Sequence, residues 1–233
     1  IVSKCLNTKK VGHTGTLDPM AKGVLVLCIG KGLKLCEMLT NHDKQYIAGI
    51  TLGIETDTLD MEGNILSTEI VDIDKNRIIE VINSFKGRYL QEVPKYSAVK
   101  VNGRKLYEYA RNNIDIKLPS KMVDIYDIEI IDDIIYEDGK IHFKIRTTVS
   151  KGTYIRSLVR DIGTKLGVPA VMSSLVRNRL GNFNISDSYS IDDIKNGNFK
   201  LIPIIDVVSD ISKINVDNNL AIKIKNGMVQ QAI

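Results

Sequence analysis

The sequence predicts an α+β fold built on a mixed, mainly antiparallel sheet with flanking helices. Three observations carry this. Strand-like and helix-like segments are interspersed without the strict alternation of a doubly wound parallel fold. Asp138-Gly139 supplies a hairpin turn between two extended runs. Two segments, after Asp74 and from Ile155, carry apolar residues along a single helical face.

Taken in order, Val24 to Ile29 is a continuous apolar run between Gly23 and Gly30, the composition of a short strand buried on both faces. Lys34 to Leu39 follows with helical spacing, and Tyr46 to Leu52 returns to strand composition. Ile78, Ile82 and Phe85 share a helical face after Asp74, and Gly87 stands where a left-handed C-terminal cap is expected. Ile128 to Tyr136 and the alternating Ile141, Phe143, Ile145, Thr147 and Val149 form an antiparallel pair about the Asp138-Gly139 turn. Ile155, Leu158, Val159, Ile162 and Leu166 mark a helix that stops at Gly167, with Pro169 just beyond. From about Asp187 the chain turns rich in Asp, Asn, Ile and Lys, as expected of a looser C-terminal region that docks on the main domain.

At 233 residues, 43% hydrophobic and 26% charged, the chain has the composition of an ordinary globular domain. No apolar stretch approaches bilayer-spanning length and no signal-peptide pattern opens the chain, which argues against a membrane role. Cys5, Cys28 and Cys36 are odd in number, lack C-x-x-C spacing and sit among apolar residues; they read as reduced, buried thiols of a cytoplasmic protein. The net charge of +4 suits a polyanionic partner without requiring one. Two basic clusters are candidates for gripping a phosphate backbone: Lys95, Lys100, Arg104 and Lys105, and Arg156, Arg160, Arg177 and Arg179. With no Trp in the chain, base stacking falls to Tyr or Phe.

The most unusual local sequence is Gly12-His13-Thr14-Gly15-Thr16-Leu17-Asp18-Pro19. Two glycines three apart predict a tight loop whose amides can approach a ligand. It is not a P-loop, since no Gly-Lys-Ser/Thr follows, and not a dinucleotide fingerprint, since the strand comes after the glycines. Alone, Asp18 before Pro19 is the ordinary start of a helix, and His13 an ordinary loop histidine. With only His42 and His142 besides it, and no Cys/His cluster, no metal site is expected.

The whole segment matches, residue for residue, the signature loop of the TruB-type pseudouridine synthase family, which modifies the T-loop of tRNA. The resemblance recurs in the family's order at Asp43-Lys44-Gln45-Tyr46, at Gly53 to Asp60 with Gly63, at Val93 to Lys100, and at Lys151 to Leu158. It spans Lys10 to about Leu180. It implies a pseudouridine-synthase-like sheet with a central active-site cleft, and isomerisation of the tRNA uridine conventionally numbered 55, without cofactor or metal. Asp18 matches the family's essential aspartate, as nucleophile or as base. Tyr46 matches the active-site tyrosine that stacks on the extruded base, and Arg156 the arginine that pairs with the aspartate. A cation in the first turn of a helix opposes the helix dipole, which independently calls for a partner carboxylate. Tyr154 and Leu175 match positions lining the uracil pocket. His13 resembles the loop histidine that holds the flipped nucleotide, with Gly12 and Thr14 beside it as binding residues. The Val93 to Lys105 stretch, with Lys95, Lys100 and Arg104, resembles a mobile insertion, here 92–112, that clamps the RNA stem-loop.

The family's usual opening Lys-Pro-x-Gly stretch does not precede Val2, so a truncated start is expected. Residues 1–205 are expected to form the catalytic domain, and 206–233 the incomplete beginning of a PUA-like RNA-binding region. The expected partner is the tRNA T stem-loop, bound by a monomer that requires no protein partner. One alternative is a tRNA-folding chaperone without useful turnover; a weaker one is a guide-RNA-dependent enzyme of the related archaeal and eukaryotic type.

Overall fold

The computed structural model describes residues 1–209, 211–212 and 214–228. A short helix α1 (Val2–Cys5) leads into β1 (Val11–His13), which pairs antiparallel with β3 (Leu27–Ile29) in a small ribbon; between them β2 (Lys22–Gly23) joins the main sheet. A 3-10 turn over Gly30–Leu35 precedes α2 (Cys36–Thr40) and β4 (Lys44–Leu52). The hairpin β5 (Ile54–Thr56) and β6 (Ile65–Thr68), helix α3 (Lys75–Asn83) and strand β7 (Gly87–Glu92) follow. Next come the small hairpin β8 (Lys100–Val101) and β9 (Arg104–Lys105), and α4 (Leu106–Arg111). Strands β10 (Ser120–Ile130), β11 (Ile135–Glu137) and β12 (Lys140–Val149) lead to α5 (Ile155–Leu166), β13 (Ala170–Leu180) and β14 (Phe183–Asn184). Short helices α6 (Ile191–Lys195), α7 (Ile204–Val207) and α8 (Asn218–Lys225) close the described chain and bury no residue, in keeping with the looser region expected there.

The central sheet runs β14-β13-β4-β12-β10-β7, antiparallel at every step, with β2 added in parallel to β13. It is the mixed, mainly antiparallel sheet that the sequence predicts. Strands β11 and β12 meet at Asp138 and Gly139, whose φ of 49° and 69° are those of the expected two-residue hairpin turn. Helices α3 and α5 pack on the sheet around Ile50, Leu52, Ile78, Ile82, Ile145, Leu158 and Ile162, each side chain contributing about 1.5–3 kcal/mol by burial. Helix α5 lies close because Gly163 has no side chain: a Cβ there would stand 2.4 Å from Ala170 Cβ. Gly167 ends α5 in the left-handed conformation the sequence requires.

Three expectations are corrected. The run from Val24 to Ile29 is strand only over Leu27–Ile29, and Leu25 is exposed. Val24 instead prolongs the pairing of β2 with β13: its N–H donates to the Arg177 carbonyl (2.8 Å), and its own carbonyl accepts from the Arg177 side chain at Nε (2.7 Å). Helix α3 starts at its Asp74 cap but stops at Asn83, not at Gly87. Ser84 Oγ donates to the Val81 carbonyl (2.6 Å), and Phe85 then turns into the core edge-on to Tyr89. Of the three thiols only Cys28 is buried; Cys5 is exposed, because α1 carries no core residue. Among the described residues no helix is long and apolar enough to cross a membrane.

Candidate active site

The signature segment is held between the ribbon and the central sheet. Gly12 pairs with Cys28 across the ribbon, and a Cβ at Gly12 would lie 2.7 Å from Leu33 Cδ2, so its glycine is explained by close packing. Thr14 is fully buried, its N–H donating to the Val26 carbonyl (3.2 Å). His13 points outward, and its Nδ1 accepts from the Gly15 N–H (3.3 Å). No helix begins at Asp18. Instead Pro19 and Met20 make a turn in which the Ala21 N–H donates to the Asp18 carbonyl (2.9 Å). The carboxylate is thereby free of capping duty and turned towards α5.

Arg156, in the first turn of α5, meets it there. Its Nε donates to Asp18 Oδ2 (3.0 Å) and its Nη2 to Asp18 Oδ1 (2.9 Å), a bidentate pair across 138 residues of sequence. Two further guanidinium protons go to the carbonyls of Thr58 (3.0 Å, from Nη1) and Tyr96 (3.2 Å, from Nη2). Arg156 is only 6% exposed, so its charge has left water and acts on the carboxylate at low dielectric. A second buried acid, Asp60, sits 3.7 Å from Arg156 Nε and is fixed by Thr58 Oγ1 (2.7 Å) and the Glu62 N–H (3.1 Å), both donating to its Oδ1. Leu59, between the two groups that face Arg156, has φ +66°, a left-handed conformation costing roughly 1–2 kcal/mol for a side-chain-bearing residue. That reversal aims the Thr58 carbonyl and the Asp60 carboxylate at one guanidinium.

Tyr46, on the central strand β4, is buried opposite Thr147 of β12 and Arg177 of β13. Burial raises its phenol above the ordinary value, the Arg177 guanidinium beside it opposes the rise, and the Asp18 charge adds to it. The hydroxyl therefore stays protonated in neutral solution. Tyr154, just before α5, has its backbone clamped by Gln91, which accepts from Tyr154 N (2.8 Å) and donates through Nε2 to its carbonyl (3.1 Å). Lys121 Nζ rests 4.8 Å over its ring, and the Asp18 charge reaches its hydroxyl as well. Leu175 is a buried neighbour of Ala48 within the core. Asp18, Arg156, Tyr46 and Tyr154 thus converge from a loop, the first turn of α5, the central strand β4 and the residue that caps α5.

The two basic clusters divide. Lys100 and Arg104 are exposed on the β8–β9 hairpin and Lys95 is half-buried ahead of it, none paired with a carboxylate among the described residues. The second cluster is not a phosphate grip. Arg156 is spent on Asp18, Arg160 pairs with Glu92 (3.0 Å) and Asp161 (2.8 Å), Arg179 pairs with Asp43 (2.6 Å), and Arg177 is 1% exposed inside the protein. Sequence reasoning assigned no separate role to Asp60 or Arg177. The first lies inside a quoted motif, but the turn that aims it has no local signal; the second was masked by its basic neighbours.

By fold and site the molecule is of the pseudouridine synthase class. It superposes on a chain of a Cbf5–Nop10–Gar1 complex with a TM-score of 0.63 at 30% identity, covering 84% of this chain and 48% of that one. It also superposes on a chain of an H/ACA RNP bound to a substrate RNA containing 2′-deoxyuridine, with a TM-score of 0.60 at 27% identity, covering 84% of this chain and 46% of that one. The chain thus spans just under half the length of these structural neighbours. More narrowly, residues 3–155 match the TruB family pseudouridylate synthase N-terminal domain and residues 156–200 the tRNA pseudouridylate synthase B C-terminal domain, so the chain belongs to the TruB family of pseudouridylate synthases. The protein named tRNA pseudouridine synthase B of Bacillus subtilis (strain 168) is 43% identical over 234 residues, covering 97% of this chain and 76% of that protein. Its namesake in Staphylococcus saprophyticus is 44% identical over 234 residues, with 96% and 77% covered. The seam between the two matched domains falls at Arg156, inside the helix that completes the site, and α5 and β13 beyond it are integral to the sheet.

Proposed function

We propose that this chain converts uridine to pseudouridine in tRNA, at the T-loop position conventionally numbered 55. The observation that carries the reading is the bidentate Asp18–Arg156 pair, which holds one carboxylate aimed beside two tyrosines. The reaction breaks the bond from ribose C1′ to N1 of the base, turns the base, and joins C1′ to C5, with the C5 proton lost and a proton taken up at the freed N1. One ionised carboxylate at the ribose serves this chemistry, either by attacking C1′ or by taking the C2′ proton. Tyr46, a protonated phenol with an apolar ring, stacks on the extruded base; Tyr154 and Leu175 complete its pocket, and His13 contacts the displaced nucleotide. Extruding the base costs a few kcal/mol of stacking, which Lys95, Lys100 and Arg104 offset through the RNA backbone.

The chain acts on tRNA as a monomer in the cytoplasm, without a protein partner or cofactor, with residues 1–205 as the catalytic unit and 92–112 as the RNA-clamping insertion. An acid oriented so specifically supports turnover over the alternative of a folding chaperone. The test is an unmodified tRNA transcript incubated with the protein alone and mapped for pseudouridine. Product confined to position 55 is expected; a folded sample that yields product at no site overturns the reading.

A further inference from the structure

Among the described residues Arg177 is the most deeply buried cation, 1% exposed, and no carboxylate pairs with it. A charge in that position normally acquires a carboxylate, because removing it from water costs several kcal/mol. What it has instead is two backbone carbonyls, with the Tyr46 phenol beside it. Its Nε donates to the Val24 carbonyl (2.7 Å) and its Nη2 to the Gly15 carbonyl (3.1 Å). Those two carbonyls stand at opposite ends of the segment 15–24, which carries Asp18 at its bend. The same residue's own carbonyl accepts from the Val24 N–H (2.8 Å), and Gly23 lies so close that a Cβ on it would sit 2.2 Å from the Arg177 carbonyl oxygen. Gly15 has φ +140° and Gly23 φ +105°, so both ends of the segment are bent to reach this one side chain.

The loop has few other ties. Between Gly15 and Val24 the other hydrogen bonds are the Gly15–His13 contact, the Ala21–Asp18 turn, the two-residue pairing of β2 with β13, and the Arg156 grip on the Asp18 carboxylate, while Met20 and Ala21 pack against the core. Arg156 sets the direction of the carboxyl, but it can do so only while the backbone beneath Asp18 stays within reach. A guanidinium suits the task because its rigid fork spans two carbonyls at once; an ammonium is a point donor. Across the sheet Arg177 is also the register partner of Tyr46, so the residue that closes the loop borders the tyrosine facing the base.

We infer that Arg177 is a positioning residue for the reaction: its buried guanidinium clasps the two ends of the 15–24 loop and so fixes Asp18 against Arg156. The inference rests on the functional reading given above. It touches no substrate and acts through Asp18, so its loss lowers the chemical rate and leaves tRNA binding intact.

The experiment uses the full chain and an unmodified tRNA transcript, comparing wild type with Arg177→Lys, which keeps the buried charge, and Gly23→Ala, which pushes the loop from the other side and keeps the arginine. Single-turnover rates are read at saturating enzyme and normalised to binding-competent sites, so a merely lowered folded fraction does not register. Displacing a reacting group by about 1 Å costs on the order of 100-fold in rate. The expected result is a fall of about that size in both variants, with the dissociation constant for tRNA within about twofold of wild type. Arg177→Lys turning over within threefold of wild type overturns the clasp, as does a rate loss accompanied by an equal loss of affinity. Should either variant fail to yield binding-competent protein, the other decides. A folded wild type with no turnover overturns the functional reading and the clasp with it; an active wild type beside a fully active Arg177→Lys overturns the clasp alone.

Discussion

Replacing Arg156 by lysine keeps a positive charge at the site but removes its geometry. The guanidinium makes four hydrogen bonds, two to the Asp18 oxygens and one each to the Thr58 and Tyr96 carbonyls, at 2.9 to 3.2 Å. These partners lie along different edges of a planar fork, so an ammonium can keep the carboxylate or a carbonyl, not all four. The loss of about two charge-assisted bonds at roughly 1.5 kcal/mol each gives a destabilisation of about 3 kcal/mol. It stays at the lower end of the range for breaking a buried pair, because Asp60 and Asp18 still face a cation. The carboxylate also swings out of register with the ribose, and a shift near 1 Å lowers the rate by about 100-fold. Urea unfolding at pH 7 and single-turnover kinetics with saturating enzyme measure the two quantities separately. A stability loss under about 1 kcal/mol together with a rate within threefold of wild type would refute the assignment of fork geometry to this arginine.

Further consequences follow from other groups. Burial, with repulsion from Arg177, pushes the Lys44 ammonium from 10.5 down to about 8, so between those values the unfolded chain holds more protons than the folded one. The stability of wild type relative to Lys44→Met should therefore rise by about 1–3 kcal/mol as pH climbs from 7.5 to 10.5, and a flat difference curve from paired urea melts counts against it. Gly163→Ala drives a methyl into Ala170 and the Val168 carbonyl, and should cost about 1–3 kcal/mol in urea melts; an unchanged midpoint would mean that α5 can slide on β13. Neutralising Lys95, Lys100 and Arg104 together should flatten the dependence of log Kd on log salt by about 2 to 3, with saturated turnover unchanged; an unaltered slope removes these side chains from the RNA interface.

What the sequence disclosed was set by whether a signal is local. The α5 helix is written in its apolar spacing and its Gly167 stop, and the cation in its first turn already asked for an acid. Asp18 was legible only as part of a whole motif, since alone it reads as a helix cap, and the turn at Pro19-Met20 removes that role. Asp60 was hidden because its aim depends on a left-handed Leu59, which no propensity forecasts for a leucine. Arg177 misled because charge in a sequence carries no mark of burial; only the pairing of β2 with β13 encloses it. That enclosure is also why the apolar run after Gly23 is not one strand: Val24 answers to Arg177, and the chain reaches its own ladder only at Leu27.

The account turns on the Asp18 carboxylate doing chemistry at the ribose, and tritium release from tRNA carrying uridine labelled at C5 reports completion of the exchange which that chemistry begins. Wild type should release the label in a single exponential, while Asp18→Asn binds the same tRNA with an affinity within a few-fold and releases none above the buffer control. Label release by folded Asp18→Asn at a rate comparable to wild type would contradict the account.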